Sequence, residues 1–420
     1  VNGVNVYSVA AVNEKGASFY CSPMAVYVGE DSPTTPVKAN TETNANSVRF
    51  NWNAPEKGIH GGYLNPEKLT YTLAESDGSD YKPTYTPVGN TVGKTYFDLD
   101  VNPNDGAEQT VKTLFINAAN DYGSSAYIPL PSYIQGKPYD IPFSASVKNY
   151  MFYGILWAAW GTGKSDFELS ESSVDNDGGC FYLMPVNDDD ISYLGSGKIS
   201  LGGATAPKLM FHHKAAEGSK AKITVEVETP DGIKHEAGVV DYTNLQGGDW
   251  SASGIDLSPW ANEPFITFDF AVQGKSYEEI YIDRLFVRDT QTDDLNAEIE
   301  TPKTVLKGGM ANVKVRVNNF GENPAKNFKV KLYANDKLVE TKKITETLTA
   351  YGFTDVDFAY QSNKLDQNDD VELKAEIDYA YDLFEDDNVV SSKIKFATSE
   401  KPRPESVSTN KTAEGINVSW

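Results

Sequence analysis

The chain has 420 residues and a formal net charge of −23, because 60 Asp and Glu residues outnumber 37 Lys and Arg residues. A chain of this length is expected to form about three domains. Its acidity disfavours nucleic acid and anionic membranes as partners, since both require a basic protein surface. The longest apolar run, residues 151–160, is too short to cross a bilayer. The 24 Tyr, 19 Phe and 33 Gly residues are typical of a β-rich chain with many turns.

One strand pattern recurs in the first 135 residues and at the end of the chain. The apolar positions Val48, Phe50 and Trp52 alternate with polar ones, which predicts a strand with one buried face. The same pattern returns in Ile416, Val418 and Trp420. A turn is also repeated, about one sandwich-domain length later, as Asn13-Glu14-Lys15-Gly16 and Asn120-Asp121-Tyr122-Gly123.

These repeated features resemble fibronectin type III domains. The resemblance depends on the tryptophans Trp52 and Trp420 and on the turns that begin at Asn13 and Asn120. It implies β-sandwich domains of roughly 100 residues each. The chain contains no Arg-Gly-Asp tripeptide, so integrin binding has no support from the sequence.

The middle of the chain, residues 136–290, contains several short motifs in a fixed order. The first motif is an aspartate-rich turn, and the last is a strand that carries one aspartate. In chain order the motifs are Asp175-Asn176-Asp177-Gly178-Gly179, Gly197-Lys198-Ile199-Ser200-Leu201, Pro207-Lys208-Leu209-Met210-Phe211, Trp250 followed by Ile255-Asp256-Leu257-Ser258, and Ile280-Tyr281-Ile282-Asp283. This order resembles the MAM-like jelly roll of bacterial cleaved-adhesin domains, the adhesin modules attached to gingipain-type proteases. The resemblance implies a jelly-roll fold and a role in binding.

The next segment, residues 291–398, has a third pattern. Val313, Val315 and Val317 alternate on a predicted strand that leads into the turn Asn319-Phe320-Gly321, and Glu385-Asp386-Asp387-Asn388 follows near the end. The spacing resembles the CARDB family of Ig-like bacterial adhesion domains.

We therefore predict an all-β, multi-domain string of β-sandwiches. The predicted order is the C-terminal part of a fibronectin type III domain in 1–31, a complete one in 32–135, the MAM-like jelly roll in 136–290, the CARDB-like domain in 291–398, and the start of another type III domain in 399–420. Because residues 1–31 and 400–420 carry complementary strands of one fold, their pairing is a further hypothesis. The two cysteines, Cys21 and Cys180, fall in different predicted domains, so we expect no disulfide between them.

The aspartates of the jelly roll are the candidate metal ligands. Calcium requires six to eight oxygen ligands, and the turn at Asp175 and Asp177 can supply some of them. The jelly-roll resemblance implies a calcium ion between this turn and Asp283. The alternative is a solvated turn beside a hydrogen-bonded aspartate. One departure weakens the resemblance, because the carboxylate that usually follows the first Pro-Phe is replaced here by Ser144-Ala145-Ser146.

Other candidate residues give weaker indications. Adjacent residues of a strand point to opposite faces, so His212 and His213 cannot bind one ion together. Neither a Cys/His cluster nor a Gly-x-Ser-x-Gly motif is present, so we expect no zinc or nucleophilic site and no enzymatic activity. Four tryptophans of the central segment could stack on sugars if two of them lie exposed and coplanar on one face; they are Trp157, Trp160, Trp250 and Trp260.

The resemblances imply a non-catalytic segment of a secreted or cell-surface bacterial adhesin. In this interpretation the jelly roll binds an extracellular glycan or a host protein, and no membrane insertion is expected. The alternative is an accessory or spacer region of a larger secreted protease or glycosidase, with its catalytic domain outside this segment. The chain begins with Val1 and ends within a predicted strand, which favours a segment of a longer protein.

Overall fold

The fold is described from a computed structural model that carries side chains. The structure describes residues 3–43, 47–79, 81–100, 108–145, 158–161, 167–188, 190–361, 370–397, 408–412 and 415–419. The chain divides into two compact units. Unit 1 comprises Val1–Leu209, Lys214–Trp250 and Ile255–Arg288, and unit 2 comprises Met210–His213, Ser251–Gly254 and Asp289–Trp420.

The first 31 residues form two small antiparallel pairs. The strands are β1 (Gly3–Tyr7), β2 (Val12–Asn13), β3 (Gly16–Ala17) and β4 (Met24–Val28). β1 pairs with β4, and β2 pairs with β3 around the predicted turn at Asn13. Many apolar side chains of these strands are exposed, as in Val6 of β1 and Met24 of β4.

Residues 32–135 form two main sheets around one core. β5, β6 and β9 form one sheet, and β12, β11, β7 and β8, with β13 beside β11, form the other. The predicted alternation is present in β6, where Val48, Phe50 and Trp52 are buried. The strands are β5 (Val37–Thr43), β6 (Val48–Asn53), β7 (Thr70–Ser76), β8 (Tyr85–Val92), β9 (Tyr96–Leu99), β10 (Thr110–Lys112), β11 (Phe115–Asn120), β12 (Gly123–Ser124), β13 (Ile128–Pro129) and β14 (Tyr133–Gln135).

Residues 136–289 form two larger sheets. The first has the order β18-β19-β27-β22-β25 with β16 beside β27, and the second has the order β17-β20-β26-β23-β24. Phe268, Phe270 and Val272 alternate into the core from β26, as the period-2 pattern predicts. The strands are β15 (Tyr139–Asp140), β16 (Phe143–Ala145), β17 (Ala158–Gly161), β18 (Glu168–Ser170), β19 (Cys180–Leu183), β20 (Ser192–Gly195), β21 (Ile199–Ser200), β22 (Pro207–Ala215), β23 (Lys222–Glu228), β24 (Lys234–Asp241), β25 (Ser251–Asp256), β26 (Thr267–Gln273) and β27 (Ile280–Asp289).

Residues 295–397 form a three-stranded sheet, β28-β30-β33, and a five-stranded sheet, β29-β35-β34-β31-β32. Their inward faces share one apolar core, to which β30 contributes Val313, Val315 and Val317. The strands are β28 (Leu295–Glu300), β29 (Thr304–Leu306), β30 (Met310–Asn319), β31 (Phe328–Ala334), β32 (Lys337–Ile344), β33 (Phe353–Gln361), β34 (Asp370–Asp378) and β35 (Val389–Ala397). A hairpin of β36 (Ser408–Thr412) and β37 (Gly415–Ser419) follows.

The all-β prediction is confirmed. Helical structure in the described residues is confined to single 3-10 turns at Pro66–Lys68, Tyr242–Asn244, Ser258–Trp260 and Glu385–Asp387. None of the helices in this part of the chain is long and apolar enough to cross a membrane. The domain boundaries given above stay predictions, and the residues between β35 and β36 lie outside the described chain.

Candidate functional site

The three predicted aspartates lie around a single hydroxyl group. Ser173 Oγ is 2.8 Å from Asp175 Oδ1, 3.1 Å from Asp177 Oδ1 and 3.3 Å from Asp283 Oδ2. A serine hydroxyl carries one proton and can donate it to only one acceptor at a time. The other two carboxylates therefore face the same oxygen without receiving its proton. We call Ser173, Asp175, Asp177 and Asp283 the aspartate cluster.

Asp283 is the buried member of the cluster. It lies on β27 with no exposed surface. The backbone amide of Val174 donates to its Oδ2 and the amide of Arg284 donates to its Oδ1, both at 2.8 Å. Burial and the nearby negative charges of Asp175 and Asp177 raise the pKa of Asp283 to about 7, although the amide hydrogen bonds oppose the rise. A buried aspartate in an apolar strand requires a hydrogen-bonding partner, and for Asp283 these two backbone amides provide it.

Arg284 brings a positive charge to the cluster. Its Nε lies 3.1 Å from Asp175 Oδ2, and both side chains are almost completely buried. Arg284 has a φ of +46°, a backbone conformation uncommon for a residue with a side chain. Burial, followed by the charge of Asp175, raises the pKa of Asp177, and Asp177 Oδ2 is buried without a hydrogen-bond partner.

The charges of the aspartate cluster do not balance. Three ionised carboxylates beside one guanidinium leave two negative charges in a largely buried place, which is unfavourable unless protons or another cation reduce them. The available ligands are hard carboxylate oxygens, the type that calcium prefers. Within the described chain, however, no group of three or more His, Cys, Asp or Glu side chains has the geometry of a metal centre. Asp175 faces Arg284, and Asp283 accepts from two backbone amides.

A second candidate surface lies on the outer face of the sheet that contains β27. Tyr182 on β19 and Tyr281 on β27 are direct cross-strand partners, with ring centroids 5.2 Å apart and planes inclined by 43°. Trp250, immediately before β25, lies 6.0 Å from Tyr281 at 55°. All three rings are partly exposed. We call Tyr182, Tyr281 and Trp250 the aromatic face.

Polar groups surround the aromatic face. Lys214 on β22 has its Nζ 5.9 Å from the Tyr281 ring centroid, and the Tyr281 hydroxyl donates to Glu279 Oε2 at 3.0 Å. Glu168 is the cross-strand partner of Tyr182 on the opposite side. Partial burial and this hydrogen bond to Glu279 raise the pKa of Tyr281 to about 12. Rings bordered by carboxylates and an ammonium present both an apolar surface and hydrogen-bonding groups.

The tryptophans named from the sequence have different surroundings. Trp250 belongs to the aromatic face, whereas Trp260 lies 5.9 Å from the ring of His235. Trp157 lies outside the described residues, and the side chain of Trp160 is not described. The sequence analysis missed Tyr182 and Tyr281. The alternation of residues could have placed both tyrosines on the outer face of the sheet, because each lies between apolar neighbours that are buried. These strands are Phe181-Tyr182-Leu183 and Ile280-Tyr281-Ile282.

The two adjacent histidines do not form a common site. The ring of His213 is buried and lies 2.9 Å from Ser253 Oγ, and burial lowers its pKa to about 4. His212 is packed separately against the ring of Phe353. Both cysteines carry free thiols, with Cys21 exposed and Cys180 buried.

Comparison with known proteins identifies one part of the chain. Residues 292–391 match the CARDB family model. The CARDB prediction made from the turn at Asn319 and the acidic segment at Glu385 is therefore confirmed for this part. No curated protein matches the chain at the significance required. The fibronectin type III and cleaved-adhesin resemblances stay predictions.

Comparison with solved structures finds likenesses at low identity and low TM-score. The CARDB domain of a Pyrococcus furiosus protein, solved in complex with di-metal ions, is 23% identical with a TM-score of 0.23, covering 25% of this chain and 90% of that chain. A domain of a putative cell surface protein from Methanosarcina acetivorans is 19% identical with a TM-score of 0.23. The match covers 27% of this chain and 98% of that chain. A structure of carbohydrate-binding modules from the β-sandwich superfamily is 14% identical with a TM-score of 0.27. The match covers 61% of this chain and 98% of that chain. With scores this low, these likenesses support no statement about ligands.

Proposed function

We propose that this chain is a non-catalytic segment of a secreted or cell-surface bacterial adhesin and that its jelly roll binds glycan through the aromatic face. The observation that carries the proposal is the contact of Tyr182, Tyr281 and Trp250 on one outer sheet surface. Sugar rings have an apolar side formed by C–H groups, which packs against aromatic rings, and hydroxyl groups at their edges. Glu168, Glu279 and Lys214 lie where they can bind those hydroxyls.

The inclination of the rings indicates which glycans fit. Coplanar rings suit a flat polysaccharide surface, whereas the rings of Tyr182, Tyr281 and Trp250 are inclined by 43° and 55° to their neighbours. A soluble chain that turns along its length can place successive sugars on such a surface. We therefore expect soluble oligosaccharides to bind in preference to insoluble, flat polysaccharides.

The test uses the full chain and a panel of soluble glycans and insoluble polysaccharides. Trp250→Ala and Tyr281→Ala should each weaken binding about fivefold or more, since a stacking contact contributes on the order of 1 kcal/mol or more. Trp250→Phe should restore much of the affinity. Tyr277→Ala is the matched control, because Tyr277 is an exposed tyrosine of the same domain that is not part of the aromatic face.

Three results contradict the proposal. The first is no glycan binding by the unmodified chain, and the second is equal loss of binding in Tyr277→Ala. The third is unchanged binding in both Trp250→Ala and Tyr281→Ala. Thermal unfolding of each variant separates a lost contact from a lost fold.

We also propose that the aspartate cluster holds a calcium ion as a structural component of the jelly roll. The excess of two negative charges and the buried Asp177 Oδ2 support this role. A calcium ion would supply a positive charge shared by Asp175, Asp177 and Asp283, in place of the hydrogen bond that the neutral Ser173 hydroxyl can donate to one of them. It would stabilise the loop against β27, and we assign it no part in binding glycan.

A further inference from the structure

A cavity of about 240 Å³ lies within unit 1, where residues 32–135 meet the outer face of the sheet that contains β26. Its wall includes side chains from both parts of the chain. We call it the junction cavity and define it by Ser132, Tyr133, Lys198, Glu228, Phe265 and Asp269. Ligand pockets for drug-sized molecules have volumes of about 300 Å³ or more. The junction cavity is therefore suited to a small molecule with one ring.

The walls of the junction cavity are held together by a reciprocal pair of hydrogen bonds. Gln109 Nε2 donates to the Lys198 carbonyl oxygen and the Lys198 amide donates to Gln109 Oε1, both at 2.8 Å. Both residues are buried. Gly197 leaves room for this pair, because a Cβ at its position would lie 2.9 Å from Gln109 Oε1. The cavity is thus formed by fixed groups before any ligand binds, which lowers the entropic cost of binding.

The floor of the cavity is acidic. Asp269 on β26 is buried and its Oδ2 lies 2.5 Å from Lys234 Nζ. The same ammonium lies 3.6 Å from Glu226 Oε2. Glu228 is the cross-strand partner of Thr267 on the same face. Among the described residues, no donor hydrogen-bonds to the Glu228 carboxylate, and Lys234 lowers its pKa only through space.

Among the described residues, the Lys234 ammonium thus lies close to Asp269 and Glu226 and acts on Glu228 through its charge. A second cation of the lining, Lys198, is buried with its Nζ 4.8 Å from the centroid of the Phe265 ring. Burial raises the pKa of both Glu228 and Asp269, since a carboxylate loses hydration there. A ligand that brings an ammonium group and hydroxyl donors would compensate for that loss.

We propose that the junction cavity binds a single amino-sugar-sized ligand, with its ammonium group paired to Glu228 and its ring in the space that Tyr133 and Phe265 line. The apolar part of this lining can contact the ring, and Asp269 and Ser132 offer acceptors to its hydroxyls. This site is separate from the aromatic face and does not depend on the glycan binding assigned to that surface.

The test measures binding of three sugars of equal size to the full chain, by ligand-observed NMR and calorimetry. Glucosamine carries an ammonium group, glucose is neutral and glucuronate is an anion. Glucosamine should bind at least tenfold more tightly than glucose, and glucuronate should not bind measurably. Binding of glucosamine should weaken as the pH falls and Glu228 becomes protonated.

Substitutions locate the site. Glu228→Gln should lower the affinity for glucosamine at least tenfold, whereas Glu236→Gln, an exposed glutamate of the neighbouring strand β24, should have no effect. Thr267→Met, which fills the cavity beside Glu228, should abolish binding even if Glu228→Gln proves unstable. Tyr277→Ala, at an exposed tyrosine outside the cavity lining, should leave glucosamine binding unchanged. Equal affinity for the three sugars, no binding of any of them, or normal binding by Glu228→Gln and Thr267→Met would overturn the proposal.

Discussion

The backbone amide of Val174 donates a 2.8 Å hydrogen bond to Oδ2 of Asp283, although the two residues are 109 positions apart in the chain. This contact attaches the aspartate-rich turn to the central strand β27 of its sheet. It also places the Asp283 carboxylate, whose pKa is raised, near the carboxylates of Asp175 and Asp177. The stability of this region should therefore respond to both protons and cations.

Without calcium, the stability of the two-sheet segment that contains Asp283 should fall as the pH rises from about 4 to about 7. The pKa of Asp283 is raised from 3.8 to about 7 in the folded state. A group whose pKa is higher in the folded state stabilises the fold fully at pH values below its pKa in the unfolded chain. This stabilisation is lost as the pH rises through the pKa of the group in the folded state. The contribution of this group is at most about 4 kcal/mol. Denaturant unfolding in the presence of a chelator measures it.

Asp283→Asn should remove most of that pH dependence, because the amide carries no charge to bury. Asp249→Asn, an exposed aspartate of the same domain, is the control and should leave the pH dependence unchanged. A pH dependence that is the same in Asp283→Asn and in the unmodified chain would show that another group is responsible.

Calcium should raise the thermal stability of the unmodified chain at pH 7. An ion that binds only the folded state stabilises it by about 2.7 kcal/mol at a hundredfold excess over its Kd. Asp283→Asn should respond much less, because it lacks one of the three carboxylates. Differential scanning calorimetry with calcium and with a chelator checks this prediction. Identical unfolding curves under the two conditions, with no calcium found by elemental analysis, argue against the ion.

Asn319→Ala should destabilise the CARDB domain by about 2–4 kcal/mol. The Asn319 side chain is buried, and its Nδ2 lies 2.9 Å from the carbonyl oxygen of Asn323 and 3.0 Å from that of Thr349. Its Oδ1 accepts from the Gly321 amide. Removing the amide deletes all of these hydrogen bonds at once, although the Gly321 amide still donates to the Asp294 carbonyl and the Thr349 carbonyl still accepts from the Gly352 amide. Asn312→Ala, at an exposed position of the same strand, should change the unfolding temperature little.

Asp31→Ala should loosen the glycine-rich loop around His60. The Asp31 carboxylate is buried and accepts from the amides of Ser32, His60 and Gly62, and it lies 2.9 Å from His60 Nδ1. Burial alone would raise the pKa of Asp31, but these hydrogen bonds outweigh it and lower the pKa. We expect a loss of about 2–3 kcal/mol and faster hydrogen exchange confined to this loop. Unchanged exchange there would contradict the structural role of Asp31.

One of the two cysteines should react with thiol reagents in the folded protein. Cys21 is exposed, whereas Cys180 is buried and its thiol pKa is raised to about 12, first by burial and then by Asp283 and Asp177. Since the thiolate is the reactive form, Cys180 should react only after unfolding. A thiol titration of the unmodified chain should give one equivalent in buffer and two in denaturant. Cys21→Ser should give no equivalent in buffer and one in denaturant.

The residue pattern was sufficient to predict the strands with one buried face. In β6 and β30 the apolar residues recur every second position, and each such face must find cover in a core, whatever the partner strand is. The turn at Asn319 was recognisable from its residue types and its position after the alternating strand, although its side chain also donates to the distant carbonyls of Leu348 and Thr349. The aspartates of the cluster were named from a family resemblance, since nothing in the local sequence shows that Asp283 lies beside Asp175.

The sequence by itself determined an acidic, all-β chain, the alternation of its strands and the CARDB segment. Only the tertiary structure decided that Arg284 faces Asp175, that Tyr182 lies opposite Tyr281, and that Glu228 lines a cavity with Tyr133. These contacts depend on strand order and register between residues far apart in the chain. A period of two residues specifies which face a side chain occupies, but it does not specify which side chain of another strand lies next to it.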